Sequence, residues 1–103
     1  MDIVVFITVV NKKEASLIAQ GLVEKKLAAC VNMAASVTSV FSWKGKIERV
    51  SEVLLIVKTV KRKLGVLERF VKSCHSYEVP EIIALPIVGG NKDYLEWLHA
   101  SVR

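Results

Sequence analysis

The side chains of this 103-residue chain that could do chemistry fall in three places. The first is Cys74-His75-Ser76-Tyr77-Glu78-Val79-Pro80-Glu81, where an imidazole stands close to two carboxylates. His75 is the best candidate metal ligand or acid/base group, and Glu78 and Glu81 add hard oxygen donors in the same loop. Cys74 falls on the apolar stripe of the preceding helix, so it is expected in the core. The competing reading of His75 is a loop histidine held by hydrogen bonds alone. The second place is Cys30, in a run of small residues that suits packing better than reaction. As a thiol donor it is the residue with which a neighbouring copy could complete a metal site. The third is the basic cluster Lys58, Lys61, Arg62 and Lys63, where a strand enters a helix. Cations there oppose the helix dipole, and a bound anion would relieve that cost and use the free N–H groups. An ordinary exposed basic turn explains the same residues.

Composition narrows the classes. Apolar residues make up 52% and charged residues 24%, which excludes disorder and collagen-like repetition and leaves one compact domain over residues 1–103. Fifteen Lys and Arg against ten Asp and Glu give +5, a balance that many solvated domains carry with no anionic partner. Two cysteines make no disulfide framework, and no Cys/His spacing is that of a zinc finger. No apolar run approaches the ~20 residues of a membrane span, and no basic leader precedes the first apolar run. The expectation is a cytoplasmic protein with no membrane and no nucleic-acid partner. No P-loop, nucleophile elbow or Ser-His-Asp grouping can be assembled, so an enzyme is not expected.

The elements that must position these residues follow from periodicity. Residues 3 to 10 are β-branched and aromatic throughout and read as a strand buried on both faces. Asn11 caps a helix, with Glu14 completing a capping-box-like pair, and Ala15, Ile18, Ala19, Leu22 and Val23 form its apolar stripe. Strand-like runs extend from Leu27 to Phe41 and from Lys46 to Thr59, joined by a turn in which Gly45 can take positive φ. A helix from Lys61 to Cys74 carries Leu64, Leu67, Val71 and Cys74 on one stripe. A short strand from Ile82 to Val88 contains Pro86, which an edge tolerates. Asn91 caps a last helix with Tyr94, Leu95, Leu98 and Val102. Strand, helix, strand, strand, helix, strand and a terminal helix make an α+β, ferredoxin-like split-βαβ sandwich.

The middle hairpin is too long for its domain. Strands of about 14 residues at ~3.3 Å per residue reach roughly 45 Å. A globule of this length has a radius of gyration of about 13 Å and a diameter of about 34 Å. The hairpin should therefore overhang, with Val40, Phe41, Trp43 and Ile47 wet at its tip. A bulge near Ala34-Ala35-Ser36 that folds the strand back is the alternative.

Cys30-Val31-Asn32, Thr38-Ser39-Val40-Phe41, Trp43-Lys44-Gly45-Lys46-Ile47, Glu52 and Lys58-Thr59 stand in the order and spacing of the CutA divalent-cation tolerance family. His75, Tyr77-Glu78-Val79-Pro80-Glu81-Ile82 and Tyr94-Leu95-Glu96-Trp97-Leu98 extend the resemblance over essentially the whole chain. It implies a tight homotrimer, similar in architecture to the PII nitrogen-signalling proteins, with a role in tolerance of copper and other divalent cations. The chain departs from the family at Ala35-Ser36, commonly Pro-Gly, and at Phe41, commonly Tyr. It also carries Ile7 where some members have a cysteine linked to copper.

Two functions compete. One is a trimeric metal-responsive protein that binds Cu(II) or another divalent cation weakly, at His75, Cys30, Glu78 and Glu81. Its trimer interface and clefts would be formed by Phe41, Trp43, Ile47 and Tyr77. The other is a PII-like sensor holding a small anionic effector in intersubunit clefts near Lys58, Lys61, Arg62 and Lys63.

Overall fold

Alternation along the first strand decides the architecture. In the computed structural model, which describes residues 1–103, β1 (Asp2–Val9) buries Ile3, Val5, Ile7 and Val9 and leaves Val4 and Phe6 half-exposed. The buried set lies opposite Thr59, Val57, Leu55 and Val53 of β3 (Lys46–Val60), so one sheet face collects the core. Helices α1 (Lys12–Glu24) and α2 (Leu64–Cys74) cover that face with Ala15, Ile18, Ala19, Leu22, Leu67 and Val71. The expected strand buried on both faces is thus covered on one face only: no element of the chain packs over Val4 and Phe6.

Strand β2 (Cys30–Trp43) and strand β4 (Ile82–Pro86) are the sheet edges in the order β2-β3-β1-β4, with every neighbour antiparallel. This is the ferredoxin-like order, and Pro86 sits on the edge strand, where its missing N–H interrupts no inner ladder. β4 ends at Pro86, two residues before the expected Val88. Helix α3 (Lys92–Ser101) closes one end of the sheet, packing Leu98 and Val102 on Ala29, Val60 and Ile87.

Local chemistry fixes the joints. The Asn11 side chain accepts the Glu14 N–H at 2.9 Å, and that of Asn91 accepts the Tyr94 N–H at 3.0 Å, so each helix start gains a partner for an orphan donor. The Glu14 carboxylate does not close a capping box; it reaches Ser76 instead. A 3-10 turn over Lys61–Lys63 precedes α2 and takes up the first turn of the helix expected from Lys61. At Gly21 the two helices approach so closely that a Cβ would lie 2.4 Å from the Phe70 ring.

The hairpin both bulges and overhangs. The register slips between Ala35 and Val37, at the place the sequence marked for a break, and the strands still continue to Trp43 and Lys46. Lys44 at φ 51° and Gly45 at φ 78° make the tight turn, the conformation in which glycine is the least strained residue. The molecule measures 45 × 25 × 22 Å, its long dimension matching the extended-strand arithmetic.

Candidate functional site

The bulge determines which side chains meet at the tip. Before it, Val31, Met33 and Ala35 stand opposite Val57, Leu55 and Val53 on the helix-covered face. After it, Val37, Ser39 and Phe41 stand opposite Glu52, Val50 and Glu48, and Trp43 opposite Lys46, on the open face. One extra residue in a strand of period two transfers Phe41 and Trp43 to the same face as Glu48 and Glu52. Between this stretch of hairpin and the loop after α2 lies a cleft of about 860 Å³, to which Tyr77, Glu78, Val79 and Glu81 contribute the facing wall.

That loop is tied down from behind. His75 is 9% exposed, its Nε2–H donates to the Thr8 carbonyl at 2.8 Å, and its Nδ1 accepts the Tyr77 N–H at 3.0 Å. The two partners define the tautomer that carries its proton on Nε2. The Glu14 carboxylate lies 3.7 Å from Nδ1 and accepts the Ser76 N–H at 3.2 Å and its hydroxyl at 3.1 Å. The Tyr77 ring tilts against the imidazole, centroids 4.8 Å apart, and its hydroxyl donates to Glu52 Oε2 at 2.8 Å. Burial first, then the Glu52 hydrogen bond and charge, push the Tyr77 phenol up to about 12. It therefore acts as a donor across the whole neutral range.

The sequence candidates divide. Phe41, Trp43, Tyr77, Glu78 and Glu81 all line the cleft, while Ile47, 75% exposed, points from the tip on the helix side, opposite Ser42. His75 stands behind the cleft with both ring nitrogens engaged. Cys30 lies at the far end of β2, where Lys58 Nζ is 4.0 Å from its sulfur. No three His, Cys, Asp or Glu side chains converge as a metal-holding group. The basic residues also separate: Lys58 turns to Cys30, whereas the Arg62 guanidinium donates to the Val102 carbonyl at the end of α3 at 3.4 Å. Lys61 is exposed and Lys63 half-exposed on the 3-10 turn.

Cys74 corrects an expectation. It is exposed, because the helix ends at this residue and its last turn leaves the core, and its thiol donates back to the Phe70 carbonyl at 3.3 Å. Partial burial pushes the thiol up, against the pull of a Ser73 hydrogen bond, so it stays protonated and a poor nucleophile. Sequence reasoning missed Glu48 and Glu52 as site residues. The signal was present in Ser51-Glu52-Val53, where a carboxylate enters an apolar strand at a position that faces away from the helices.

Comparison with known proteins places this geometry. Residues 3–101 match the family model of the CutA1 divalent ion tolerance protein. The mouse protein CutA is 52% identical over 94 residues, 91% of this chain and 53% of its own length. A divalent cation tolerance protein from Thermus thermophilus superposes with a TM-score of 0.94 at 48% identity, covering 95% of each chain. The periplasmic divalent cation tolerance protein CutA of Archaeoglobus fulgidus gives 0.97 at 44% identity, covering 100% of both. The chain therefore spans about half the length of the animal and plant relatives it matches, and nearly all of the archaeal one. No helix is long and apolar enough to cross a membrane. With the sheet order, the overhanging hairpin and the Tyr77–Glu52 cleft all carried by a sequence of this similarity, the chain belongs to the CutA1 divalent ion tolerance protein family.

Proposed function

We propose that this protein acts in divalent-cation tolerance as a homotrimer, a binding protein and not an enzyme, and holds Cu(II) or another divalent cation weakly beside the clefts between subunits. The observation that carries this reading is the exposure of apolar surface at the overhang. Trp43 is 54% exposed, Ile47 75% and Phe41 42%, although they sit on the two longest strands of the fold. Val4, Phe6, Ile83 and Leu85 add apolar area on the open sheet face, the face of Phe41 and Trp43, while Ile47 stands on the other side of the hairpin. An apolar area of this extent is what association removes from water, and a closed ring of three leaves no copy unpaired.

The weakness of the cation site follows from its ligands. Nδ1 of His75 is free for a metal only after it gives up the Tyr77 N–H, and Glu78 and Glu81 are hard oxygen donors. A tight transition-metal site takes three or four ligands, so a neighbouring copy has to add one, with Cys30 the candidate thiol. Calorimetric titration of copper(II) and zinc into wild type and His75→Ala tests the site. Weak binding that disappears in the variant supports it; unchanged binding in His75→Ala removes His75, and tight stoichiometric binding contradicts the ligand count.

A further inference from the structure

We infer that the outer surface of the two covering helices docks an acidic amphipathic helix of a partner protein. This goes beyond the divalent-cation reading and does not rest on it. The surface lies on the side of the sheet away from the open face, so a trimer that closes over that face leaves it in solvent. Charge segregation is the first argument. Residues 11–28 and 61–76, which carry α1, the 3-10 turn and α2, hold nine of the fifteen Lys and Arg of the chain but three of its ten Asp and Glu. The rest of the chain holds six against seven, so the whole positive balance of the protein stands on this one layer.

None of the nine cations is paired with a carboxylate. The ion pairs of the chain are His75 with Glu14, Lys92 with Glu96 and His99 with Asp2, and none uses a Lys or Arg of the layer. Eight of the nine are exposed and Lys63 is half-exposed. Lys26 keeps its charge at a backbone cost, for just past the end of α1 it takes φ 56°, where glycine is the unstrained residue. Like charges gathered this densely repel one another until an anionic surface covers them.

The seam between the helices then selects the partner. Gly21 of α1 meets the Phe70 ring of α2, and the Lys25 ammonium stands 5.6 Å from the centroid of that ring. One turn from this contact, Leu17 is 66% exposed on α1 and Val66 45% on α2. Two aliphatic side chains are thus wet in a layer rich in cations. Main-chain groups in helix interiors bond within their own helix, so a partner gains nothing here by adding a strand, and side chains must do the recognising. An apolar stripe on the seam with carboxylates to either side is the pattern of an acidic amphipathic helix. Helices of 13 and 11 residues give it a track of roughly 16 to 20 Å, about three turns. Nucleic acid fits less well, because Phe70 is half-buried and His75 buried, which leaves bases no ring to stack on. A lipid surface calls for a continuous apolar band, which two side chains do not make.

The test is calorimetric titration of a synthetic peptide of about 20 residues into the full chain, the peptide made of Glu, Ala and Leu with its leucines on one helical stripe. Expected are saturable binding that weakens as salt is raised, a loss of affinity of about tenfold in Lys25→Gln/Arg69→Gln, and a smaller loss in Leu17→Ser. Lys26→Gly should bind more weakly while melting no lower, a combination that damage to the fold does not produce. Absence of peptide binding overturns the inference, and so does equal affinity in the double variant. Equal binding of a peptide of the same composition with its leucines scattered overturns it, since charge alone then suffices. Tighter binding of duplex RNA or of phosphatidylserine vesicles overturns it by giving the surface to another partner. Light scattering on the same samples completes the test: a lower assembly mass in the double variant would mean that a copy of the chain occupies the layer, which overturns it too.

Discussion

Strand β3 contains two proteins' worth of instruction. Its second half puts Val53, Leu55, Val57 and Thr59 under two helices, all of them buried; its first half puts Ile47, Arg49 and Ser51 on the same side of the same strand, all exposed. The two halves share one strand and the same pairing partner, β2. They differ in whether the chain supplies a covering layer. The lesson is that the length of a strand does not say how much of it its own chain will cover. The covered half folds the protein, and the uncovered half is where the cleft, the aromatic residues and the unpaired carboxylates gather.

The contrast breaks most severely in the covered half. Leu55→Ala, at a fully buried position, should cost about 4 kcal/mol of unfolding free energy, measured by denaturant titration. If the proposed homotrimer covers Trp43, Trp43→Ala should cost about 3 kcal/mol, the scale for truncating a buried aromatic, and the loss should appear as weaker association. Melting of the wild type should then depend on protein concentration, and that of the variant more steeply. A Trp43→Ala protein with wild-type mass and concentration dependence would show that the tip is not an interface.

Smaller effects sharpen the boundary between the halves. Tyr77→Phe leaves Glu52 buried without its donor and should lower stability by about 2 kcal/mol, with Glu52→Gln partly restoring it in the double variant. The Tyr77 phenol, pushed up to about 12 from 10, stabilises the fold in full below about pH 10, and that contribution is lost as pH rises through 12. Phenolate absorbance should show its ionisation moving down in Glu52→Gln. Asn11→Ala, removing only the α1 cap, should cost about 1 kcal/mol and leave the cleft and the assembly as they are.

Much of the fold was legible because it rests on local periodicity. Asn11, Asn91 and Gly45 mark their joints by residue type, and the apolar stripe of α1 is spaced as a helix requires. The overhang was legible from length alone, and the bulge from the small residues Ala34-Ala35-Ser36. What failed was whatever depends on where a helix ends. Cys74 continues the stripe of Leu67 and Val71 but sits on the last turn, past the sheet, and so is exposed. His75, one residue on, does sit in the loop and is held by hydrogen bonds, but its burial was not legible, because it depends on the ring turning inward to reach the Thr8 carbonyl through Nε2–H. The cleft itself depends on the parity switch at the bulge, which decides that Phe41 and Glu52 share a face. The small residues mark where the strand can break, but not that the slip is by one residue while the strands run on, so the site could be assembled only from the structure.

The central claim is that the uncovered half of β3 is completed by copies of this same chain. Light scattering at micromolar concentration measures that directly. The account predicts three times the chain mass of 11.4 kDa, and a stable species of 11.4 kDa would contradict it.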